Sequence, residues 1–333
     1  MRSAAAVLLS MMLGGATMTP TTPSRGLLLV ANKGDHTLGI IDPAAGRLVA
    51  TVEESGVTGH EVVASADGRT AYVPIYGDSG VGRPGSDGRT VDVIDIAARR
   101  RVATIDLGAP QRPHCARLGP DGRLYVTTEL TSSITVIDPL NNKVVATIPT
   151  GQPESHMLVL SPDGQRGYTS NVHVGTVSAI DIGAGKVLSV IRVCAHAQRI
   201  SLSADGRFVF TADQEVPRLA VIDTTTNEVS RWVDLPAVAF GTAPTPDGHW
   251  LLIALPSARK VAVLGVGSMQ IVRTIDVPPT PQEIVVRPDG LAAHVSCDAS
   301  HQVAALDLVE WKVERLIDAG PLADGLAWVV ASR

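Results

Sequence analysis

The chain has 333 residues, and 28 Lys and Arg against 33 Asp and Glu give a formal charge of −5. With no run of Lys or Arg longer than Arg99-Arg100-Arg101, the footprint of a nucleic-acid binder is missing, and 3% aromatic content leaves few platforms for stacking bases. A length of this order suggests two domains by default, but internal repeats override that prior.

The chain opens with a positive end, Met1 and Arg2, and an apolar run over residues 4–16 that closes in Gly14-Gly15-Ala16. That run of about 13 residues is too short to span a bilayer, which needs roughly 20. It reads as a signal peptide over residues 1–16, followed by a disordered leader at 17–25, which directs the protein to the periplasm or outside the cell. No later stretch is long and apolar enough for a membrane helix, so no membrane span is expected. Three cysteines (Cys115, Cys194 and Cys297) cannot all pair within one chain; an exported protein with an odd cysteine carries a free thiol or uses sulfur as a ligand.

From residue 26 to 333 the sequence repeats. Asp-Gly pairs start at Asp67, Asp121, Asp163, Asp205, Asp247 and Asp289, in steps of 54 residues and then 42. A second series ends apolar stretches at Asp42, Asp95, Asp138, Asp181, Asp223 and Asp307, with Gly265 in the sixth place. One unit contains four short apolar segments near 157–160, 167–170, 177–180 and 187–190, with Asp163-Gly164 as a hairpin turn between the first two. A lone sheet of this kind cannot bury both faces, so neighbouring units must stack. The period and the strand content predict an all-β, seven-bladed β-propeller of four-stranded antiparallel blades in one domain. Six Asp-Gly turns against seven units imply that the first unit lacks its first strand. The segment Asp324-Gly325-Leu326-Ala327-Trp328 supplies it, so the C-terminal strand pairs with the N-terminal blade and removes an open edge. A monomer is the expected state of such a closed ring. Trp232, Trp250, Trp311 and Trp328 read as strand residues packed between blades.

The stretches Asp121-Gly122-Arg123-Leu124-Tyr125-Val126-Thr127-Thr128 and Tyr168-Thr169-Ser170-Asn171, with the Val-Ile-Asp endings, resemble the YVTN-repeat family and its YncE-like exported propellers. The resemblance covers residues 26 to the C-terminus. It implies the propeller fold and a family whose members include binding proteins, lactonases, lyases and the propeller parts of redox enzymes.

Antiparallel topology puts the start of strand one and the end of strand two at the same face, beside the central channel. The turn aspartates lie at the opposite face in structural roles. Seven residues before each turn Asp stand His60, His114, His156, Gln198, Phe240 and Gln282, and the next positions are Glu61, Cys115, Met157, Arg199, Gly241 and Glu283. The ends of the second strands add Lys33, Tyr76, Glu129, Asn171, His173, Asp213, Glu215, Cys297 and Asp298. A rim lined by His, Glu and Cys is therefore the predicted binding site for a small molecule, a metal or a protein at the channel mouth. Three histidines on consecutive units (His60, His114 and His156) are candidate ligands for a transition metal, with Glu61 or Glu129 as a further ligand or base. Cys115 and Met157 beside them favour a soft metal such as copper. The alternative to binding is a metal-assisted lactonase- or lyase-like enzyme on the same rim, or a copper or redox accessory. Whether the protein catalyses a reaction is left open.

The longer first step comes from residues 77–89, which join strands two and three and hang over the same rim as a lid or a plain insertion. Its Gly80, Gly82 and Gly85 match G-x-G-x-x-G, but Pro84 interrupts the match and a strand follows. Arg83 or Arg89 is placed to hold an anion. Ser155-His156 is not a nucleophile pair, because adjacent strand residues face opposite sides and no Gly-x-Ser-x-Gly elbow is present.

Overall fold

Alternation of small β-branched segments with Asp-Gly and Asp-x-x-x turns leaves each unit no option but a four-stranded meander. The structure, a computed structural model, describes residues 26–330 except Ser79; the predicted signal segment and leader lie outside them. Seven four-stranded antiparallel sheets follow one another around an axis. The fourth is typical: Ser155–Leu160, Arg166–Asn171, Thr176–Asp181 and Lys186–Arg192 pair in chain order. Helix is confined to three short 3-10 turns among the described residues, at Glu129–Thr131, Pro256–Ala258 and Asp298–Ser300.

The two inner strands of each blade are buried along their length, as in Thr176–Asp181, while outer strands such as Lys143–Pro149 are mostly exposed. The core therefore lies between blades. One cluster joins Ile134 and Val136 of the third blade, Leu158, Val177 and Ile180 of the fourth, and Val209 and Ile222 of the fifth. Each fully buried aliphatic side chain contributes roughly 1.5–3 kcal/mol, so stability resides in the stacking of blades rather than in any single sheet.

The turn aspartates do what turn chemistry asks of them. Asp163 Oδ1 accepts from Ser161 Oγ and from the Gln165 N–H at 3.0 Å, and the same bonds recur at Asp67, Asp205 and Asp247. Gly164 adopts φ +70°, and a Cβ there would sit 2.6 Å from Pro120 Cγ of the preceding blade, so the turn needs glycine twice over.

The first blade is composed of Ala323–Val330, Gly26–Asn32, Thr37–Asp42 and Arg47–Glu53. The closing strand pairs antiparallel with Gly26–Asn32 from Gly26↔Val330 to Asn32↔Ala323, as the count of turns required. Gly325 makes the join possible: a Cβ at that position would lie 2.4 Å from the His60 carbonyl oxygen, to which the Gly325 N–H donates at 2.9 Å.

Two of the four tryptophans depart from the expectation. Trp250 and Trp311 meet edge to face between the sixth and seventh blades at 5.6 Å, but Trp311 sits in a turn at φ +57° rather than in a strand. Trp232 lies on an outer strand, 36% exposed, under the Arg218 guanidinium. It packs on its own blade, opposite Ala220 of the neighbouring strand. Trp328 does pack between blades, stacked on His294.

Deleting residues 322–333 should expose the edge of Gly26–Asn32 and uncover the first blade. The expected product is aggregated or unfolded by size-exclusion chromatography and calorimetry; a soluble monomer with an unchanged Tm would contradict the closure.

Candidate functional site at the channel mouth

Strand one of most blades is bulged at its mouth end. Pairing skips between Pro113 and Ala116, Ser155 and Met157, Ala197 and Ile200, and Pro281 and Ile284. A bulge re-aims successive side chains, so neighbours such as Gln198 and Arg199 both reach the axis. The result is two stacked layers, an upper one with one residue from each blade and a lower one built on Arg199 and its acids.

The upper layer is His60, His114, His156, Gln198, Phe240, Gln282 and Asp324, and all seven line one small cavity of about 140 Å³. Lys33, Tyr76 and Arg199 complete its walls, and Gly80 and Val81 of the 77–89 insertion form part of its roof. The insertion is thus a cavity-contacting segment. It is fastened by Arg112, which donates to Asp87 at 2.5 Å, to the Arg83 carbonyl at 2.6 Å and to Glu129 at 3.2 Å. Glu129 also accepts from the Gly82 N–H at 3.2 Å and from the Tyr76 hydroxyl.

The three histidines do come together, around Tyr76. His60 and His114 rings are 5.2 Å apart, His114 and His156 only 3.5 Å, and Tyr76 lies 4.8, 5.3 and 6.1 Å from the three in turn. This is ring packing, not a shared ion. A Zn–N bond of about 2.1 Å places each ring centre about 3.2 Å from the metal, so two rings 3.5 Å apart would subtend only about 65°, against about 109° for a tetrahedron. Among the described residues no group of three or more His, Cys, Asp or Glu is arranged to hold a metal. Cys115 does not assist: its thiol points to the Leu158 carbonyl of the next blade.

Burial keeps the imidazoles uncharged. Loss of water pushes His60 down to about 4, against Asp324 and with Lys33 and Arg199, and holds His114 and His156 well below the usual imidazole range, where neighbouring positive charge adds to it. A histidine depressed on folding adds stability that is present above about 6.5 and is lost as pH falls through its folded value. His114 Nδ1 and His156 Nδ1 are buried with no hydrogen-bond partner, and His156 Nε2 lies 3.3 Å from the Gln198 amide nitrogen.

The lower layer plugs the channel. Arg199 donates from Nη1 to Glu61 and to Glu283 at 2.8 Å, and from Nη2 to Asp324 at 2.8 Å, while its Nε has no partner. Lys33 adds a second cation 3.0 Å from Asp324. One guanidinium thus binds acids from the second, seventh and first blades across the axis. Burial pushes Glu283 up to about 7 and raises Glu61, with Arg199 opposing; Asp324 is held low because Arg199 and Lys33 outweigh its burial. Below the plug a separate funnel of about 640 Å³ opens to the turn face, lined by Val63, Leu118, Leu160 and Leu202, with Arg117 near its depth.

The predicted rim residues therefore separate into groups. His60, Tyr76, His114, His156 and Arg199 line the cavity; Glu61, Glu129 and Glu283 support it from behind. Asn171 is occupied inside its blade by Ser155, Thr176 and Ser178. Ser155 is likewise structural, bonded to Thr150 and Asn171. Asp213 caps the Glu215 and Val216 N–H groups and pairs with Arg218. Cys297 turns its thiol to the Val295 carbonyl, and Asp298 lies 3.7 Å from Lys33 at the edge. Arg89 is spent on Asp106. Two contributors escape the sequence reading. Asp324 is the seventh member of the upper layer, 42 residues after Gln282, but it lacks the following turn that marks the others. Arg112 carries no repeat signal.

No family model and no curated protein matches the sequence. Among solved structures the chain resembles a hydrazine synthase chain from Kuenenia stuttgartiensis, with 20% identity and a TM-score of 0.69 over 88% of this chain and 99% of that one. It also resembles a functionally unknown protein from Desulfotomaculum acetoxidans DSM 771, with 14% identity and a TM-score of 0.76 over 91% and 98%. At such identities the likeness establishes the propeller fold alone.

Replacing Arg199 by Met leaves Glu61, Glu283 and Asp324 without their shared cation. The expected loss is about 3–5 kcal/mol in denaturant unfolding, and a loss below about 1 kcal/mol would show that the plug is not held by this residue.

Proposed function

We propose that the protein is an exported YVTN/YncE-like propeller that binds one small polar molecule in the mouth cavity. The observation that carries this reading is an axis-centred cavity lined by His60, His114 and His156, of which His114 and His156 each keep a buried Nδ1 with no hydrogen-bond partner. A buried polar atom without a partner costs about 1–3 kcal/mol, and a ligand that satisfies it recovers that energy. A cavity of about 140 Å³ holds the equivalent of about four or five waters, which limits the ligand to a handful of heavy atoms. Neutral imidazoles offer one donor and one acceptor each, Lys33 adds a cation, and Phe240 an apolar wall. The Arg112-fastened insertion shields the occupant from the mouth side. Export rests on the sequence of residues 1–16.

A thermal-shift and calorimetric panel of one- to four-carbon carboxylic acids, hydroxy acids and amines tests the reading. At least one compound should bind saturably at one equivalent and raise the Tm. His114→Phe, which keeps ring volume and removes both nitrogens, should lower its affinity at least tenfold with the fold intact by circular dichroism. No binder in the panel, or one whose affinity survives His114→Phe, would contradict it.

A further inference from the structure

A second histidine pair lies outside the cavity, on the mouth face between the fourth and fifth blades. His173 occupies the turn between Arg166–Asn171 and Thr176–Asp181, and His196 the crossover from Lys186–Arg192 to Ala197–Leu202. Backbone bonds sew the two segments together: Gly175 N–H to Val172 O at 3.1 Å, Val193 N–H to Gly175 O at 2.9 Å, and Ala197 N–H to Val172 O at 3.2 Å. The His196 carbonyl accepts from the Gln214 N–H at 3.2 Å. The pair is thus held by ordered chain, not by loose loop.

Each ring has one nitrogen taken by a carboxylate. His173 Nδ1 is 2.6 Å from Glu154 Oε2, the same oxygen that accepts the His173 backbone N–H at 2.8 Å. His196 Nδ1 is 2.8 Å from Glu215 Oε1. No hydrogen bond from a described residue reaches either Nε2. The rings are 46% and 35% exposed and border a groove of about 370 Å³ beside the insertion.

From these observations we propose that His173 and His196 form a two-histidine site for a divalent late transition cation such as Zn(II), Cu(II) or Ni(II), bound through both Nε2 atoms. The ring centres are 5.0 Å apart. With each centre about 3.2 Å from a shared ion, that spacing corresponds to a ligand–metal–ligand angle of about 103°, near tetrahedral. Spacing alone does not single the pair out, since His60 and His114 are 5.2 Å apart. What differs is the carboxylate beside each Nδ1, hydrogen-bonded at His173 and in ion-pair contact at His196; a carboxylate on the second ring nitrogen is the arrangement that fixes tautomer and ring direction in metal-binding histidines. The mouth pair has no such support, and His114 Nδ1 has no partner at all. Imidazole donors suit late first-row divalent cations, and Glu154 and Glu215 supply two negative charges close by. The groove shares Gly80, Val81 and Gln198 with the mouth cavity, but neither His173 nor His196 lines that cavity.

The test is calorimetric titration of Zn(II) and Cu(II) into the full chain, without an affinity tag, in a non-chelating buffer at pH 7.5. One equivalent should bind. His173→Ala and His196→Ala should each weaken binding at least tenfold, Glu154→Gln about tenfold, and His114→Phe should leave it unchanged. Electron paramagnetic resonance of the one-equivalent Cu(II) complex should show two imidazole nitrogens, lost in the double variant. Binding no tighter in the native protein than in the His173→Ala/His196→Ala double variant would overturn the proposal. So would loss of binding in His114→Phe instead.

Discussion

The pairing of Ala323–Val330 with Gly26–Asn32 is the constraint from which the rest of the molecule follows. A stack of sheets that bury their faces only against neighbours leaves two raw ends unless the last returns to the first. Here the return does more than seal an edge. It carries Asp324 to the axis as the seventh residue of the upper layer and places it against Arg199, which comes from the opposite side of the ring. Closure and site are therefore one event.

The axis is organised by charge and by water. Arg199 bridges acids from three blades in a layer that divides the channel into an enclosed upper cavity and an open lower funnel. Above that layer, partial loss of solvent keeps three imidazoles neutral, so the mouth is a hydrogen-bonding surface with a single flanking ammonium, Lys33. Outside it, His173 and His196 remain in contact with solvent, and their carboxylate partners orient rather than bury them. Two sets of histidines a short distance apart thus have different chemistry because one set lines a confined cavity and the other lies at the solvent surface.

Much of this was legible in the sequence. The repeat period, the turn pairs and the surplus unit specify the propeller and its closing strand, because turn chemistry and strand alternation are local and recur. Counting back from each Asp-Gly turn found six of the seven upper-layer residues for the same reason. Asp324 was hidden because Ala331-Ser332 stand where the Asp-Gly marker would follow it. The partition of rim residues into those facing the cavity and those facing their own blade was not legible. Asn171 and Asp213 are polar for the sake of strand ends and turns, and Cys115 for the space between blades. The bulge that lets Arg199 reach the axis beside Gln198 depends on register, which a single sequence does not display. Ring-to-ring spacing, which decides against a three-histidine metal centre, depends on rotamers and on the wedge of Tyr76.

The central claim is that closure gathers His60, His114 and His156 into a confined mouth cavity where they stay neutral. Long-range proton–nitrogen correlation spectra of histidine-labelled protein, recorded from pH 8 to pH 5, test it directly. Of the nine histidines, these three, together with His294 buried between blades, should keep neutral-tautomer nitrogen shifts through the whole range. Titration of all three near 6.5, as for rings in water, would mean that the mouth is open and hydrated, and the account would fail.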